Sequence, residues 1–343
     1  PKAALEVLDV LPRWLMRPGL PEEAAPLDEF GGVPVAYVPF LMPGRDIQVG
    51  YEVLALKRGN YTLGPLSLRG TDPVGLFERI VQSNRFVEVT VLPALFESPA
   101  IQFGAGPMAA TRTSYAPALS NDSSEVYGVR QYSPGDSLRF VHWRATARTG
   151  KMSVLQFERP VSDDLALVFD LGAGRDYGEG RESSLEYAIK IGGSIAKKAL
   201  ETGAIVQLAV LKDDQPTVLT FKGAQAGFDL MKALSGLESN STMPFQHFCQ
   251  GLLGQLESGI GVLLFTVEQA ADTLGAARAL SGASHSLITF VMRRDSFTGR
   301  RTVSEQAAYE QLEASMRQYS EATIEVAQGD NLREVVNQLG SLG

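Results

Sequence analysis

The stretch LALVFD at residues 165–170 decides the fold of the second half of the chain. An unbroken apolar run that ends in a carboxylate, Asp170, is typical of a central parallel strand, which is buried on both faces. Further strand patterns follow at residues 204–211, 217–221, 261–267, 286–292 and 323–327. Because helix patterns alternate with these strands, the sequence predicts a mostly parallel, doubly wound sheet with helices on both faces.

Local signals support the helices of this α/β half. Ser183 and Glu186 have the spacing of a capping box and predict the start of the first helix. Gly192 and Gly193 lie in the middle of that helix, where each glycine costs about 1 kcal/mol relative to alanine. We therefore expect the helix to approach the sheet closely at these positions. Asp330 is predicted to cap the last helix.

The first half of the chain predicts antiparallel β-structure. Short alternating patterns joined by turns occur at residues 47–55, 61–69, 76–81 and 85–92. They favour a β-sandwich-like domain at residues 1–93, with some of its first strands expected upstream of Pro1. Residues 94–128 lack a clear period and predict a linker that crosses the surface. Residues 129–160 then form a junction to the α/β domain at residues 161–343.

Composition narrows the function classes. The chain has 343 residues, which favours two domains, and its formal net charge of −8 argues against nucleic-acid and anionic-membrane binding. The single cysteine, Cys249, excludes an internal disulfide and a cysteine-rich zinc site. No apolar run approaches the roughly 20 residues of a membrane helix. Because the first residue is Pro1 rather than Met, we expect the chain to be a fragment of a longer protein.

The junction holds the densest cluster of distinctive side chains, in VRQYSPGDSLRFVHWRATARTGKMSVLQFE at residues 129–158. The candidate binding residues are Arg130, Tyr132, Gly135, Asp136, Arg139, His142, Trp143, Arg144 and Arg148. Arginine is suited to bidentate contacts with carboxylates and phosphates. The arginines therefore either bind an acidic peptide or a phosphate, or lock the junction through ion pairs with Glu158, Asp163 or Asp164.

The same cluster permits a hydrolase hypothesis. Asp136 and His142 are a candidate acid–base pair, with Ser133 or Ser137 as the nucleophile. Their spacing does not match a strand–turn–helix nucleophile elbow. The alternative, which we favour, is that Asp136 caps a turn while His142 and Trp143 pack at the domain junction. The sequence therefore predicts no catalytic residues.

The end of the first α/β strand is a candidate cation site. Gly172 and Gly174 have neither the third glycine of a dinucleotide loop nor the Gly-Lys-Ser/Thr ending of a P-loop. The position resembles the Asp-x-Ser-x-Ser motif of von Willebrand factor A domains, with Asp170 at the aspartate and glycines at both serines. Because a hard cation needs about six oxygen ligands, we expect no cofactor. A weak Mg²⁺ site that also uses Glu268 stays open as an alternative.

Several motifs together resemble one bacterial family. GVRQYSPGD at 128–136, Arg139 and HWRATARTGK at 142–151 resemble the signature of domain of unknown function 58, and so do YTLGP at 61–65 and TDPVGLF at 71–77. The resemblance implies a β-sandwich followed by a von Willebrand factor A-like domain. It also implies a membrane hairpin outside this chain, a soluble part that faces the cytoplasm, and a MoxR-type AAA+ ATPase as partner.

These observations lead to three function hypotheses. The first is a non-enzymatic interaction or scaffold protein that works with a AAA+ ATPase at the membrane and binds no nucleic acid. The second is a divalent-metal-dependent ligand-binding A-type domain around Asp170. The third is a hydrolase that uses Asp136 and His142.

Overall fold

The structure is a computed structural model. It describes residues 4–18, 32–39, 41–42, 44–72, 74, 76–101, 103, 126–131, 141–157, 164–257, 259–267, 270–282, 286–299 and 303–340.

The first half of the described chain is antiparallel β-structure. Its strands are β1 (Ala4–Asp9), β2 (Leu15–Met16), β3 (Val33–Val38), β4 (Leu54–Ala55), β5 (Gly59–Leu63), β6 (Leu66–Thr71), β7 (Glu78–Ser83) and β8 (Val87–Val91). They form a sheet in the order β3-β1-β6-β7 and the separate pairs β2-β4 and β5-β8. All these pairings are antiparallel, so the predicted class of this half is confirmed.

Two strand predictions in this half need correction. The predicted strand at 47–55 is wrong over most of its length, because only Leu54 and Ala55 belong to a strand. Ile47 and Val49 are 54% and 38% exposed, so their alternation does not correspond to a buried sheet face. The predicted strand at 61–69 is divided into β5 and β6 at the cis peptide bond Gly64-Pro65.

A small hairpin module follows. It consists of β9 (Val126–Gln131), α1 (Trp143–Thr149) and β10 (Ser153–Phe157). β9 and β10 pair antiparallel, with Arg130 opposite Val154. The module therefore carries part of the cluster that the sequence singled out.

The α/β half contains the remaining elements. Its strands are β11 (Leu165–Phe169), β12 (Ile205–Lys212), β13 (Gln215–Lys222), β14 (Gly261–Val267), β15 (Ser286–Met292) and β16 (Ala322–Val326). Its helices are α2 (Ser184–Glu201), α3 (Gly227–Ser235), α4 (Phe245–Leu252), α5 (Ala270–Gly282), α6 (Arg294–Thr298), α7 (Val303–Met316) and α8 (Leu332–Gly340).

The six strands form one sheet in the order β13-β12-β11-β14-β15-β16. Neighbouring strands are parallel except for the edge strand β13, which runs antiparallel to β12. Alternate residues of β11 divide the core, since Leu167 packs in one cluster with α2, α3 and α8 while Val168 packs in another with α4, α5 and α7. The predicted mostly parallel sheet with helices on both faces is confirmed.

The predicted helix signals are confirmed in part. The Ser183 hydroxyl accepts a hydrogen bond from the Glu186 amide at 3.5 Å and caps α2. A Cβ at Gly192 would lie 3.0 Å from ring carbons of Phe169 and Phe265, which confirms the close approach of this helix to the sheet.

The predicted cap of the last helix moves by one residue. The Asp330 carboxylate turns back to accept a hydrogen bond from the Ala327 amide at 2.7 Å. Asn331 instead caps α8, because its side-chain oxygen accepts from the Arg333 amide at 3.3 Å.

The predicted surface linker is partly wrong. Residues 94–101 and 103 contain no helix or strand, but Ile101 and Phe103 are buried in the core of the α/β half. The Phe103 ring packs on Gly261, where any Cβ would collide with it. The end of this segment therefore contributes apolar side chains to the core of the α/β half, instead of lying on the protein surface.

A buried arginine joins the two halves. Arg58, between β4 and β5, lies with its Nε atom 3.2 Å from Glu186 Oε1, and both side chains are at most 5% exposed. Its Nη1 atom donates to the carbonyl oxygens of Leu234 and Ser235 at 3.0 and 2.9 Å, at the C-terminus of α3. Burial raises the pKa of Glu186, and the Arg58 charge opposes that shift. The sequence had placed the junction at residues 129–160 and did not predict this contact.

Among the described residues, no helix combines the length and the apolar character needed to cross a bilayer.

Candidate functional site

The strand order places a crevice at the carboxyl ends of β11 and β14. From β11 the chain proceeds to β12 on one side of the sheet and later returns to β14 on the other side. Ligands of doubly wound sheets bind at such a switch point. Asp170 follows β11 at this point, and its amide donates to the Phe265 carbonyl at 2.8 Å.

An arginine bridges two carboxylates in this crevice. Arg175 Nη1 lies 2.6 Å from Asp170 Oδ2, and Arg175 Nη2 lies 2.7 Å from Asp272 Oδ2. The Asp170 side chain is 1% exposed, whereas the Arg175 and Asp272 side chains are 16% and 20% exposed. We call this arrangement the Arg175 bridge.

Both carboxylates have further donors. Asp170 accepts from the Gly172 amide at 3.1 Å and from the Thr266 hydroxyl at 3.4 Å. Asp272 accepts from the amides of Phe245 and Gln246 at 3.2 and 2.9 Å, so it also caps the start of α4. The bridge therefore ties the end of β11 to both α4 and α5.

The two carboxylates differ in their protonation equilibria. Burial raises the pKa of Asp170, although the Arg175 charge and the Gly172 amide oppose that shift. Burial acts in the same sense on Asp272, but the Gln246 amide and the Arg175 guanidinium outweigh it and lower the pKa of Asp272. Asp272 thus carries its negative charge readily, while the charge on Asp170 depends on Arg175.

The surrounding loop leaves room for the arginine. A Cβ at Gly172 would lie 2.7 Å from Arg175 Cδ, so a serine at this position would displace the side chain. Gly174 has a φ of +75°, a left-handed conformation that favours glycine. The backbone of Ser241 holds the loop by accepting from the Ala173 amide at 2.7 Å and donating to the Leu171 carbonyl at 2.9 Å.

The site does not fit a divalent cation. Gly172 and Gly174 provide no hydroxyl ligands, and the Arg175 guanidinium already occupies the space between the two carboxylates. Glu268, the remaining predicted ligand, lies outside the described residues. Asp170 and Asp272 therefore form ion pairs with Arg175 instead of binding a metal ion. The sequence predicted a role for neither Arg175 nor Asp272. The one available sequence signal for the bridge was an arginine five residues after the aspartate that ends the strand.

A small apolar pocket lies beside the bridge. Its lining includes Phe169, Leu211, Met243, Phe245 and Phe248, with Asp170 at its edge. Cys249, on the same helix as Phe245, is fully buried, and burial raises the pKa of its thiol well above the usual range. The pocket therefore offers apolar contact and no activated nucleophile among these residues.

The hairpin module gives His142 a structural role. The His142 Nδ1 atom accepts a hydrogen bond from the Ala145 amide at 3.0 Å and caps α1. Gly150, with a φ of +67°, ends the helix. Because Nδ1 accepts this hydrogen bond, the imidazole is held in place as the cap of α1. Asp136, the predicted partner, lies outside the described residues, as do Ser133 and Ser137.

The predicted packing of Trp143 at the domain junction is wrong. Trp143 is 67% exposed, and Arg144 and Arg148 are also exposed on the same short helix. Of α1 only Ala145 is buried, so the helix presents most of its surface to solvent. Arg130 lies on β9, which pairs with β10, and its backbone position is all that the structure describes.

The other predicted binding residues, Tyr132, Gly135 and Arg139, lie outside the described residues, and so do Glu158 and Asp163 as predicted ion-pair partners. Asp164, the third such partner, accepts a hydrogen bond from the Ile205 amide at 2.7 Å. The structure therefore brings His142, Trp143, Arg144 and Arg148 together on one helix and its cap, separate in sequence from the Arg175 bridge.

Comparison with known proteins relates part of this chain to one family. Residues 128–289 match the profile of the family described as Protein of unknown function DUF58. The match covers just under half of the chain, and this part of the chain is similar to that family. The resemblance carried by the sequence motifs is thereby confirmed, and the DUF58 region spans the hairpin module and most of the parallel sheet.

A curated relative supports the same relationship. The chain is similar to the uncharacterized protein YeaD of Bacillus subtilis (strain 168), with 22% identity over 211 residues. The similarity covers 62% of this chain and 51% of YeaD, so the chain spans about half the length of that relative.

Proposed function

We propose that this chain is a non-enzymatic interaction protein whose α/β domain works without a metal ion. The observation that carries the proposal is the Arg175 bridge, which places a fixed internal cation between Asp170 and Asp272. A guanidinium in this position supplies one positive charge where a divalent cation would supply two. Such a site has no open coordination position at which water could be activated.

We further propose that residues 161–343 form a von Willebrand factor A-like domain and residues 1–93 a β-sandwich-like domain. The sheet order, with an antiparallel edge strand and helices on both faces, supports the first assignment. The position of Asp170 at the end of the central strand supports it as well. In this interpretation Arg175 takes the place of the cation, and Gly172 replaces a serine because the arginine needs its space. Residues 94–128 and 129–160 connect the two domains.

The proposed partner is a MoxR-type AAA+ ATPase, and the proposed setting is the cytoplasmic face of a membrane. Both come from the family resemblance, which also implies a membrane hairpin outside this chain. Interaction through a preformed surface agrees with an α/β domain whose crevice is fixed at Asp272. This carboxylate on α5 pairs with Arg175 and accepts hydrogen bonds from two backbone amides of α4. The whole protein would then position the ATPase or its client at the membrane.

The alternatives have weaker support. The metal-dependent hypothesis requires Asp170 and Asp272 to exchange Arg175 for a hydrated cation, at the cost of leaving the guanidinium without its two partners. The hydrolase hypothesis requires His142 as a base, although its Nδ1 atom caps α1. For these reasons we propose neither activity.

Affinity capture tests the proposal. The immobilised 343-residue chain is presented with the MoxR-type ATPase from the same organism, assembled beforehand with Mg²⁺ and a slowly hydrolysed ATP analogue. We expect saturable capture in the micromolar range that does not change when the chain itself has first been stripped with EDTA and desalted. Absence of capture, or capture that requires re-addition of metal to the stripped chain, contradicts the proposal.

A further inference from the structure

The exposed surface of α1 and of the turn that follows it is basic. Trp143, Arg144, Arg148 and Lys151, which we call the basic face, are all exposed. We propose that the basic face binds an acidic peptide segment of the partner protein. The inference rests on the proposed function, because it assigns the surface through which that interaction occurs.

The spacing of the side chains suits an extended acidic ligand. Arg144 and Arg148 are four residues apart on α1, so they lie on the same side of the helix about 6 Å apart at their Cβ atoms. Lys151 follows directly after the left-handed Gly150 that ends the helix. Arginine guanidinium groups bind carboxylates through paired hydrogen bonds, and the exposed Trp143 ring adds apolar contact at the edge of the same surface.

The local charge is the opposite of the overall charge. The described segment 141–157 contains three basic residues and no aspartate or glutamate, whereas the whole chain has a formal net charge of −8. Within the part of the chain that the structure describes, Arg144 and Arg148 form no ion pair. An acidic ligand would therefore be attracted to this surface and repelled from most of the others.

The basic face is held in a defined conformation. The His142 side chain caps the start of α1, and Gly150 N donates to the Thr146 carbonyl at its end. The Thr146 hydroxyl also accepts from the Ser153 amide at 3.0 Å, which fixes the helix to β10. Because α1 is already ordered, binding would not have to order the helix backbone, and this favours affinity.

The ligand class follows from the balance of charges. Nucleic acid would bring a dense array of phosphates close to a protein whose total charge is strongly negative, so electrostatic attraction would be confined to one short helix. A short acidic peptide needs only that helix. We therefore assign an Asp/Glu-rich protein segment rather than nucleic acid.

Fluorescence anisotropy provides the test. The probe is a fluorescein-labelled ten-residue peptide of alternating aspartate and glutamate with one central leucine, titrated with the 343-residue chain at low and at physiological salt. The double variant Arg144→Glu/Arg148→Glu should bind about tenfold more weakly, because two attractive exposed pairs become repulsive. The matched control Arg278→Glu/Arg333→Glu changes the net charge equally at exposed positions on α5 and α8 and should bind like the wild type.

Intrinsic fluorescence gives a second readout that does not depend on the charge variants. The chain has two tryptophans, of which Trp14 packs near Gly180 in the contact between the two halves and Trp143 is exposed. Unlabelled peptide should change the tryptophan emission of the wild type, and the Trp143→Phe variant should lose that change. Equal weakening by both double variants, an unaffected Arg144→Glu/Arg148→Glu variant, or equal affinity for a ten-nucleotide single strand would each overturn the inference.

The outcome is separable from that of the ATPase capture. If the wild type captures the ATPase and Arg144→Glu/Arg148→Glu captures it equally well, the basic face is not the interface but the proposed function stands. If the wild type binds the acidic peptide and captures no ATPase, the basic face is correctly assigned and the proposed function fails.

Discussion

Replacing Arg175 by methionine should destabilise the α/β domain strongly. Methionine preserves most of the aliphatic length over Gly172 but removes the charge between Asp170 and Asp272. Asp170 is 1% exposed, so its charge loses its main partner without gaining water. Breaking a buried ion pair from one side costs about 3–5 kcal/mol. We expect about 3 kcal/mol, at the lower end, because Asp170 keeps the Gly172 amide as a donor and Arg175 itself is partly exposed.

The decrease in the free energy of unfolding caused by Arg175→Met should depend on pH. Burial already raises the pKa of Asp170, and removal of the Arg175 charge, which opposes the shift, raises it further. A carboxyl whose pKa is higher in the folded than in the unfolded state contributes stability that is fully present at low pH and is lost as pH rises through the folded-state pKa. The difference between wild type and Arg175→Met should therefore be small near the ordinary aspartate pKa and largest at neutral pH.

Urea denaturation followed by circular dichroism, repeated across this pH range, measures both effects. Arg317→Met is the matched control, because Arg317 is 74% exposed and pairs only at the surface with Glu313. The control should change the free energy of unfolding by less than about 0.5 kcal/mol. If Arg175→Met costs no more than this control, or if its cost is the same at every pH, the assigned role of the Arg175 bridge is wrong.

Substitutions at three further positions, two of them with a matched control variant, test other parts of the structure. Arg58→Ala should lower the free energy of unfolding by about 3 kcal/mol or more, because it removes a buried contact between the two halves. Denaturation followed by Trp14 fluorescence in the Trp143→Phe background measures this loss. Gly192→Ala should cost about 1–2 kcal/mol despite the higher helix propensity of alanine, because its Cβ would press on two aromatic rings. Gly227→Ala, where the Cβ would meet nothing within 4 Å, should be neutral or stabilising, and urea denaturation of both variants measures the difference. His142→Ala should destabilise α1 by about 1 kcal/mol and speed amide exchange in that helix, while His142→Asn should retain the cap.

The sequence was sufficient to predict the α/β architecture. Short apolar runs such as residues 261–267 and 286–292 predict buried strands from their own residues alone. The structure has strands at both positions. Gly192 was also informative, because a glycine in the middle of a helix indicates that another element packs closely against the helix at that position. Such features depend on local pattern, which a sequence displays directly.

The Arg175 bridge and the Arg58 contact could not be predicted in this way. Arg175 and Asp272 are 97 positions apart in the chain, and the strand order alone brings them together. Glu186 was correctly placed at the start of α2, but its carboxylate pairs with Arg58 across 128 positions rather than completing a local cap. The strand predicted at residues 47–55 failed because alternation does not reveal whether a sheet face buries the apolar positions. Ion pairs between residues far apart in the sequence can be predicted only when the strand order is known.

Calorimetric titration of the 343-residue chain with Mg²⁺, Mn²⁺ and Ca²⁺ tests the central claim most directly. Because the Arg175 guanidinium lies between Asp170 and Asp272, we expect no saturable heat at millimolar metal. Saturable binding of one cation per chain that is lost on Asp170→Asn would contradict the account.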